Sequence, residues 1–205
     1  MKHGFIYGTV KFIFDKLNYL NLVEVFKAAA VGLTKDKNDK ELIKANCRIG
    51  VDIFMISKWI LLFMLWKLHS INIFIEVLVW YLLIANVYTY FYHHIWSDDA
   101  LNTEGFPKDR IRRRFVSLLL SVVYSNVCFA YLYEIAYSSH FKWSSGVSAL
   151  HALWYSVSNS LAANYVDVSP LTDWGNSISM IQLMITFTFI TIIISRSIPA
   201  TTSKI

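Results

Sequence analysis

The chain has 205 residues, of which 56% are hydrophobic and 16% are charged, and its formal net charge is +5. Soluble domains average about 25% charged residues. Here the apolar residues form long blocks, which indicates a membrane protein with several spans. Basic residues flanking those spans account for the positive charge. Nucleic-acid binding is disfavoured, because no basic patch is interleaved with exposed aromatic residues.

Residues 1–48 predict an N-terminal segment that is cytoplasmic or lies at the membrane interface. Between residues 5 and 33, apolar side chains recur at helical spacing, with charged and amide side chains between them. This pattern suits an amphipathic helix lying in the interface. A helix packed on a neighbouring subunit or on a cytosolic partner fits it equally well. A solvated, charged connector is expected at residues 34–44, before the first span.

Residues 49–96 predict a two-helix transmembrane hairpin. Its spans, residues 49–66 and 71–93, are joined by a tight turn and contain buried charges. Lys58 and Glu76 each lie roughly 10–15 Å from that turn at 1.5 Å per residue. Because charges inside a membrane usually find a partner, we expect an ion pair between these two residues. The alternative to an ion pair is that these charged residues take part in a proton relay.

Residues 97–114 predict a polar cytoplasmic loop that ends in the run KDRIRRR. Its basic residues favour the cytoplasmic side by the positive-inside rule; they are Lys108, Arg110, Arg112, Arg113 and Arg114. The third span, residues 115–137, would then run outward and the last span would return. Both termini are therefore expected in the cytoplasm, and the plasma membrane (the inner membrane in a bacterium) is the expected location.

Residues 115–205 contain the most informative stretch of the sequence. The segment LHALWYSVSNSL is compatible with a helix of roughly 20 Å, which is too short to cross a hydrocarbon core of about 30 Å. The segment AANYVDVSPLTDWG cannot face lipid, because its backbone groups would lack partners there. Residues 176–195 are again long enough to span. A half-helix, an irregular segment and a full span together predict a re-entrant pore loop.

This stretch resembles the pore domain of potassium channels, in which an outer helix, a pore helix, a filter and an inner helix assemble as four subunits. Where the family reads WWSVxTxTTVGYGD, this chain reads WYSVSNSLAANYVD. VSPLTDWG resembles the family's turn into the inner helix. The resemblance implies a homotetramer. With the spans read from hydropathy, each subunit is expected to be all-α, with four transmembrane helices, a re-entrant pore helix and an N-terminal interfacial helix.

The filter positions depart from the family. The family has Thr-Val-Gly-Tyr-Gly-Asp, and this chain has Ala162, Ala163, Asn164, Tyr165, Val166 and Asp167. The family's glycines let successive carbonyl groups turn inward and replace the water around an ion. Asparagine tolerates a positive φ whereas β-branched valine does not. We therefore expect Asn164 to substitute in part for its glycine, and Val166 not to.

Other side chains are expected to support or line the pathway. By the resemblance, Trp154 donates a hydrogen bond to Asp167 behind the filter. Gln182 is expected to pack behind the filter or at a subunit contact. One face of the inner helix carries hydroxyl groups that we expect to line an aqueous cavity, or alternatively to bond their own helix backbone; these residues are Thr188, Thr191 and Ser195.

The sequence therefore predicts a tetrameric cation channel with little selectivity between potassium and sodium. Monovalent cations are the expected occupants, with no cofactor and no resident metal. The alternative is a loop plugged by Tyr165 and Val166, in a non-conducting scaffold or effector. Such a protein would act through a partner at the N-terminal segment or at residues 97–107. An enzyme is not indicated, because His151 lies near Ser156 without an orienting carboxylate in the sequence pattern.

Overall fold

The computed structural model of the protein describes residues 4–18, 21–34, 38–96 and 108–197. This part of the chain forms two compact units, Met1–Leu61 and Leu62–Ile205, which are described separately below. Four of its helices are long and apolar enough to cross a membrane: Lys40–Lys67, Ile73–Phe91, Arg112–Ala136 and Asp173–Ile193. The four predicted spans are thus present as helices, consistent with a membrane protein.

The first unit contains helices α1 (Phe5–Leu17) and α2 (Leu22–Gly32) and most of α3 (Lys40–Lys67). The single N-terminal helix predicted from the sequence is therefore divided in two. The division follows from Asn21, whose side chain accepts a hydrogen bond of 3.2 Å from the backbone N–H of Val23 and so begins a new helix.

Helices α2 and α3 pack closely around Gly50. A Cβ at Gly50 would lie 2.8 Å from the backbone oxygen of Phe26, so only glycine allows this approach. The rings of Phe26 and Phe54 meet edge to face, with centroids 5.3 Å apart. The amide of Asn46 donates a hydrogen bond of 2.8 Å to the Thr34 hydroxyl. Helix α2 is therefore packed on the start of the first span.

Two helices begin earlier than the sequence predicted. Helix α3 begins at Lys40, inside the expected charged connector, because the Asp39 carboxylate caps its first turn and accepts from the N–H groups of Glu41 and Leu42. Helix α5 spans Lys108–Tyr131, so the basic run predicted at the end of a loop belongs to the helix backbone. Residues 97–107 lie outside the described residues.

The second unit begins with the hairpin that the sequence predicted. After α3 ends, His69 has a φ of 46° in the turn, and Asn72 caps helix α4 (Ile73–Phe91). Helix α4 continues into a π-helical turn, Tyr92–Trp96. The hydroxyl of Tyr131 donates a hydrogen bond to the backbone oxygen of Ser70 and so ties the hairpin turn to the end of α5.

The rest of the unit positions the short helix. Helix α5 continues as a π-helical turn, Leu132–Ala136, followed by the strand β1 (Phe141–Trp143). Next come the short helix α6 (Ala149–Ser160), the strand β2 (Val168–Pro170) and the long helix α7 (Asp173–Ser197). The strands pair antiparallel, with Phe141 opposite Pro170 and Trp143 opposite Val168. Three-residue strands are too short for their alternation to be read from sequence.

The core of this unit surrounds the second half of α5. Its fully buried side chains include Tyr124, Phe129, Tyr131, Leu132 and Tyr133. A smaller apolar cluster joins Leu118 of α5 to Phe189 and Ile192 of α7. The large aromatic side chains therefore lie at the end of α5 nearest to α6.

Candidate functional site

The short helix α6 has a defined start and a defined end. It has 12 residues, or about 18 Å of length, which is less than the hydrocarbon thickness of about 30 Å. At its start, the Ser148 hydroxyl accepts a hydrogen bond of 3.2 Å from the backbone N–H of His151. At its end, the N–H of Ala163 bonds the carbonyl of Ser158 and the N–H of Ala162 bonds that of Asn159. This pair of bonds is a Schellman motif, which terminates the helix.

The residue in the left-handed conformation of this motif is Ala162, with a φ of 53°. Glycine or asparagine normally occupies that position. The sequence analysis placed the positive φ at Asn164, and the structure places it two residues earlier. Neither Asn164 nor Val166 has a positive φ. Residues 164 and 166 therefore lack the positive φ angles that glycines at those positions would allow.

A buried hydrogen-bond network, here called the brace, holds α6 between α5 and α7. Its centre is Gln182 on α7, which is 1% exposed. The Gln182 amide nitrogen donates to the Asn126 side chain at 3.1 Å and to the hydroxyl and backbone oxygens of Ser156 at 2.7 and 2.9 Å. Its amide oxygen accepts from Tyr133 at 2.7 Å and from Asn159 at 2.8 Å. One side chain thus connects three helices.

Further contacts make the brace continuous. The Ser156 hydroxyl donates to the backbone oxygen of Asn126 at 2.7 Å, and the Asn159 amide donates to the backbone oxygen of Ser179 at 3.0 Å. Tyr155 shares a hydrogen bond of 2.8 Å with the Ser179 hydroxyl. The rings of Tyr133 and Tyr155 meet at 5.0 Å between centroids. The position of α6 is therefore set by buried polar contacts as well as by apolar packing.

Of the residues in the brace, Gln182 was predicted from the sequence to have a packing role, and the others were not. The signal was present: Asn126 lies inside an apolar span, and a buried amide there requires hydrogen-bond partners. Which partners it takes depends on three helices that are distant in sequence. The Gln182 side chain bonds α6, the helix that precedes residues 161–167.

The segment after α6, residues 161–167, is here called the elbow. Val166 is 85% exposed and Leu161 is also exposed. The Tyr165 hydroxyl lies 2.9 Å from Nδ1 of His151 on the first turn of α6. Asp167 is held by the loop after β1, because its carboxylate accepts from the Ser145 hydroxyl at 3.3 Å and its backbone oxygen accepts from the N–H of Ser144 at 2.8 Å. The elbow is therefore exposed over residues 161–164 and anchored through Tyr165 and Asp167, with Val166 exposed between these two anchors.

The hydrogen bond expected between Trp154 and Asp167 is not formed within the described part of one chain. Trp154 is 52% exposed. His151, three residues earlier on α6, is the residue that reaches the elbow. The Asp167 carboxylate is 3.9 Å from the His151 ring. This carboxylate was not assigned to His151 from the sequence, since the two residues are far apart along the chain.

Although His151 and Asp167 lie close together, they do not form a nucleophilic site with Ser156. The Ser156 hydroxyl donates to the backbone oxygen of Asn126 and accepts from Gln182. In the described residues it has no hydrogen bond to the histidine. Nor does the described part of the chain contain a group of three or more His, Cys, Asp or Glu side chains that could hold a metal ion.

The hydroxyl residues of α7 bond their own helix. Thr188 donates to the backbone oxygen of Met184 at 3.0 Å, and Thr191 donates to that of Phe187 at 2.9 Å. Both side chains are at least partly exposed in one chain. Their hydroxyl hydrogens are therefore used locally, while their oxygens remain able to accept. The side chain of Ser195 lies outside the described residues.

The two intramembrane charges have partners in their own units. Lys58 is 6% exposed, and its ammonium group lies 5.9 Å from the centre of the Phe54 ring. The Glu76 carboxylate accepts a hydrogen bond from the Tyr137 hydroxyl, which also accepts from the Trp80 indole at 2.9 Å. The ion pair between Lys58 and Glu76 would join the two units and stays a prediction.

No protein-family model, no curated protein and no solved structure matches this chain. The resemblance to potassium-channel pores stays a prediction carried by the residues of α6, the elbow and the start of α7. The function proposed below therefore rests on the length, hydrogen bonds, charge and exposure of these elements.

Proposed function

We propose that the protein is a homotetrameric cation channel of weak selectivity, in which α6 is a re-entrant pore helix and the elbow forms the narrow part of the pathway. The observation that carries this proposal is the capped half-helix fixed between two spanning helices by the brace. A helix of about 18 Å followed by irregular backbone is stable at membrane depth only where protein or water covers it. A water-filled pathway provides such cover.

The electrostatics of α6 favour a cation. The C-terminal end of a helix carries a partial negative charge, and α6 ends at Ser160, next to the elbow. Asp167, beyond the elbow's exposed half, adds a formal negative charge. Together they would attract a cation and repel an anion.

The backbone of the elbow argues against potassium selectivity. Selective filters cage a bare ion with successive inward-facing carbonyl groups. Here the left-handed residue is Ala162, and Asn164 and Val166 stand where the family has glycine. Fewer carbonyl groups would converge on the axis, and Asn164 side chains would contact a hydrated ion. Such a pathway passes potassium and sodium at similar rates.

Exposed apolar side chains on one chain support assembly with further copies and lipid. Large hydrophobic residues on α6, the elbow and α7 are more than half exposed: Trp154, Leu161, Val166, Trp174, Met184 and Phe187. Extended exposed apolar patches indicate interaction surfaces. In a tetramer, those nearest the elbow would face neighbouring subunits and the remainder would face lipid of the plasma membrane, with both termini in the cytoplasm.

Ion flux from liposomes tests the proposal. We expect the reconstituted protein to release both potassium and sodium down their gradients, with rates that differ by less than about tenfold, which corresponds to about 1.4 kcal/mol. Replacing Asn164 and Val166 together by glycine should raise the preference for potassium. Unchanged selectivity in that variant would contradict the backbone argument, and mass analysis of the intact complex would test the tetramer.

A non-conducting scaffold is the second candidate, and the exposure of Val166 favours it. In a tetramer, four copies of this apolar side chain near the axis would exclude water and ions. The protein would then act through a partner at the N-terminal helices α1 and α2. Liposomes that stay tight to both ions at every pH and voltage tested would support the scaffold and refute the channel.

A further inference from the structure

We propose that His151, Tyr165 and Asp167 form a proton-binding site that changes the conformation of the elbow between neutral and acidic pH. The three side chains lie within contact distance of one another: Tyr165 is 2.9 Å and Asp167 is 3.9 Å from the His151 ring. None of them is fully buried, so protons can reach the cluster from water. The effect on ion flux rests on the proposed channel function, whereas the change in conformation does not.

The direction of the hydrogen bond between Tyr165 and His151 depends on the tautomer of the imidazole. Desolvation and the neighbouring Asp167 carboxylate raise the pKa of the Tyr165 hydroxyl, which therefore keeps its proton. In the neutral state of the proposed site, the imidazole carries its hydrogen on Nε2 and the phenol donates to Nδ1. This bond joins the middle of the elbow to the first turn of α6.

Protonation of His151 removes the acceptor of that hydrogen bond. A charged imidazole has N–H donors on both nitrogens and accepts no hydrogen bond, so the Tyr165 hydroxyl can no longer donate to Nδ1. The Asp167 carboxylate, only 3.9 Å away, is then the stronger acceptor for the new N–H. The imidazole therefore exchanges a tyrosine partner for a carboxylate partner two residues further along the elbow.

The groups around His151 set two opposing influences on its charge. The ring belongs to the first turn of α6, where the positive end of the helix dipole disfavours a cation. Asp167 favours it. The other residues of α6 and those of the loop 144–148 are uncharged. Lys142 on β1 and Asp173 on α7 are exposed and form no ion pair with His151 in the described residues, and Glu134 after α5 accepts from Trp66.

Histidine is the side chain whose charge changes in the physiological pH range, so the exchange of partners is tested by acidification. On the proposed topology, the elbow opens to the side opposite the basic residues of α5. Four added positive charges near the mouth would repel entering cations. Acidification on that side should therefore reduce cation flux about threefold to tenfold at moderate salt, since the charges are partly screened.

A fluorescent reporter on the elbow tests the proton site without requiring conduction. Val166→Cys provides an exposed attachment point; Cys47 is replaced by alanine, and Cys128 is fully buried and does not compete. In membranes, the emission of an environment-sensitive label should follow a one-proton transition between pH 8 and 5. The transition should disappear in His151→Gln. His140→Gln is the matched control, because His140 bonds Thr172 at 2.9 Å and not the elbow, and it should keep the transition.

A second variant separates the roles of the two partners. Asp167→Asn keeps the shape of the side chain and removes its charge, so the protonated imidazole loses its carboxylate acceptor and the change in label emission on acidification should become smaller. No transition in the parent protein, or a transition that persists unchanged in His151→Gln, would overturn the proton site. A normal transition with liposomes that stay tight at every pH would uphold the site and refute conduction. With conduction present, the ratio of fluxes at pH 7.5 and 5.5 should fall to about one in His151→Gln.

Discussion

The brace and the elbow are adjacent along the chain and are built in opposite ways. The brace is buried, its amide and hydroxyl groups bond one another across three helices, and its central residue, Gln182, is almost inaccessible. The elbow is largely exposed, contains a left-handed alanine and is held by a few contacts at one end. The contrast shows that buried hydrogen bonds fix the short helix, whereas fewer contacts fix the exposed segment that follows it.

The largest effect is expected from breaking the brace. Gln182→Leu removes five hydrogen bonds to four residues and leaves buried amide and hydroxyl groups without a partner. At about 0.6 kcal/mol for each interhelical bond in a membrane, the free energy of unfolding should fall by about 3 kcal/mol. Unfolding in mixed micelles with increasing denaturing detergent measures it. Met184→Leu, on an exposed face of the same helix, is the control and should be nearly neutral.

The next largest effect is expected at Gly175, in the first turn of α7. A Cβ at Gly175 would lie 2.5 Å from the backbone oxygen of His140, so Gly175→Ala must displace the backbone. Overpacking of this kind costs about 1–3 kcal/mol. Gly8→Ala, in a helix with nothing within 4 Å of the added carbon, should instead be neutral or slightly stabilising. Equal effects of the two substitutions in thermal unfolding would show that the close approach does not limit stability.

A smaller effect of opposite sign is expected inside the elbow. Ala162 adopts a φ of 53°, which costs an L-residue about 1–2 kcal/mol relative to glycine. Glycine also has more freedom in the unfolded chain, so Ala162→Gly should stabilise the protein by about 0.5–1 kcal/mol. Ala163→Gly lacks the strain and should destabilise it slightly. If both variants destabilise, the left-handed conformation at Ala162 is wrong.

The smallest effect is expected on α7. Thr188→Val and Thr191→Val remove hydroxyl groups that bond only their own helix backbone in the described residues. Such bonds add little to stability, so each variant should change the free energy of unfolding by less than about 0.5 kcal/mol. A reduced flux with unchanged stability would place these side chains in the pathway. A large loss of stability would mean that they bond a neighbouring subunit.

The sequence by itself determined the spans, the shortness of α6 and the irregular backbone after it, because hydropathy and periodicity are local properties of neighbouring residues. The residues also show that this stretch has no glycine at positions 164 and 166, where the predicted resemblance would place one. Asn21 and Asp39 are residue types that often begin helices, so both helix starts could have been read from the sequence. They were missed because the prediction gave apolar periodicity more weight than capping residues.

Only the tertiary structure decided which partners the polar residues take. Gln182 was singled out from the sequence, but its bonds to Asn126, Ser156 and Asn159 depend on where three distant helices meet. For the same reason His151, and not Trp154, contacts the elbow. The left-handed residue is Ala162 because hydrogen bonds at the end of α6 impose it against local preference. Long-range geometry, which no pattern of neighbouring residues encodes, therefore assigns each polar side chain of the site its role.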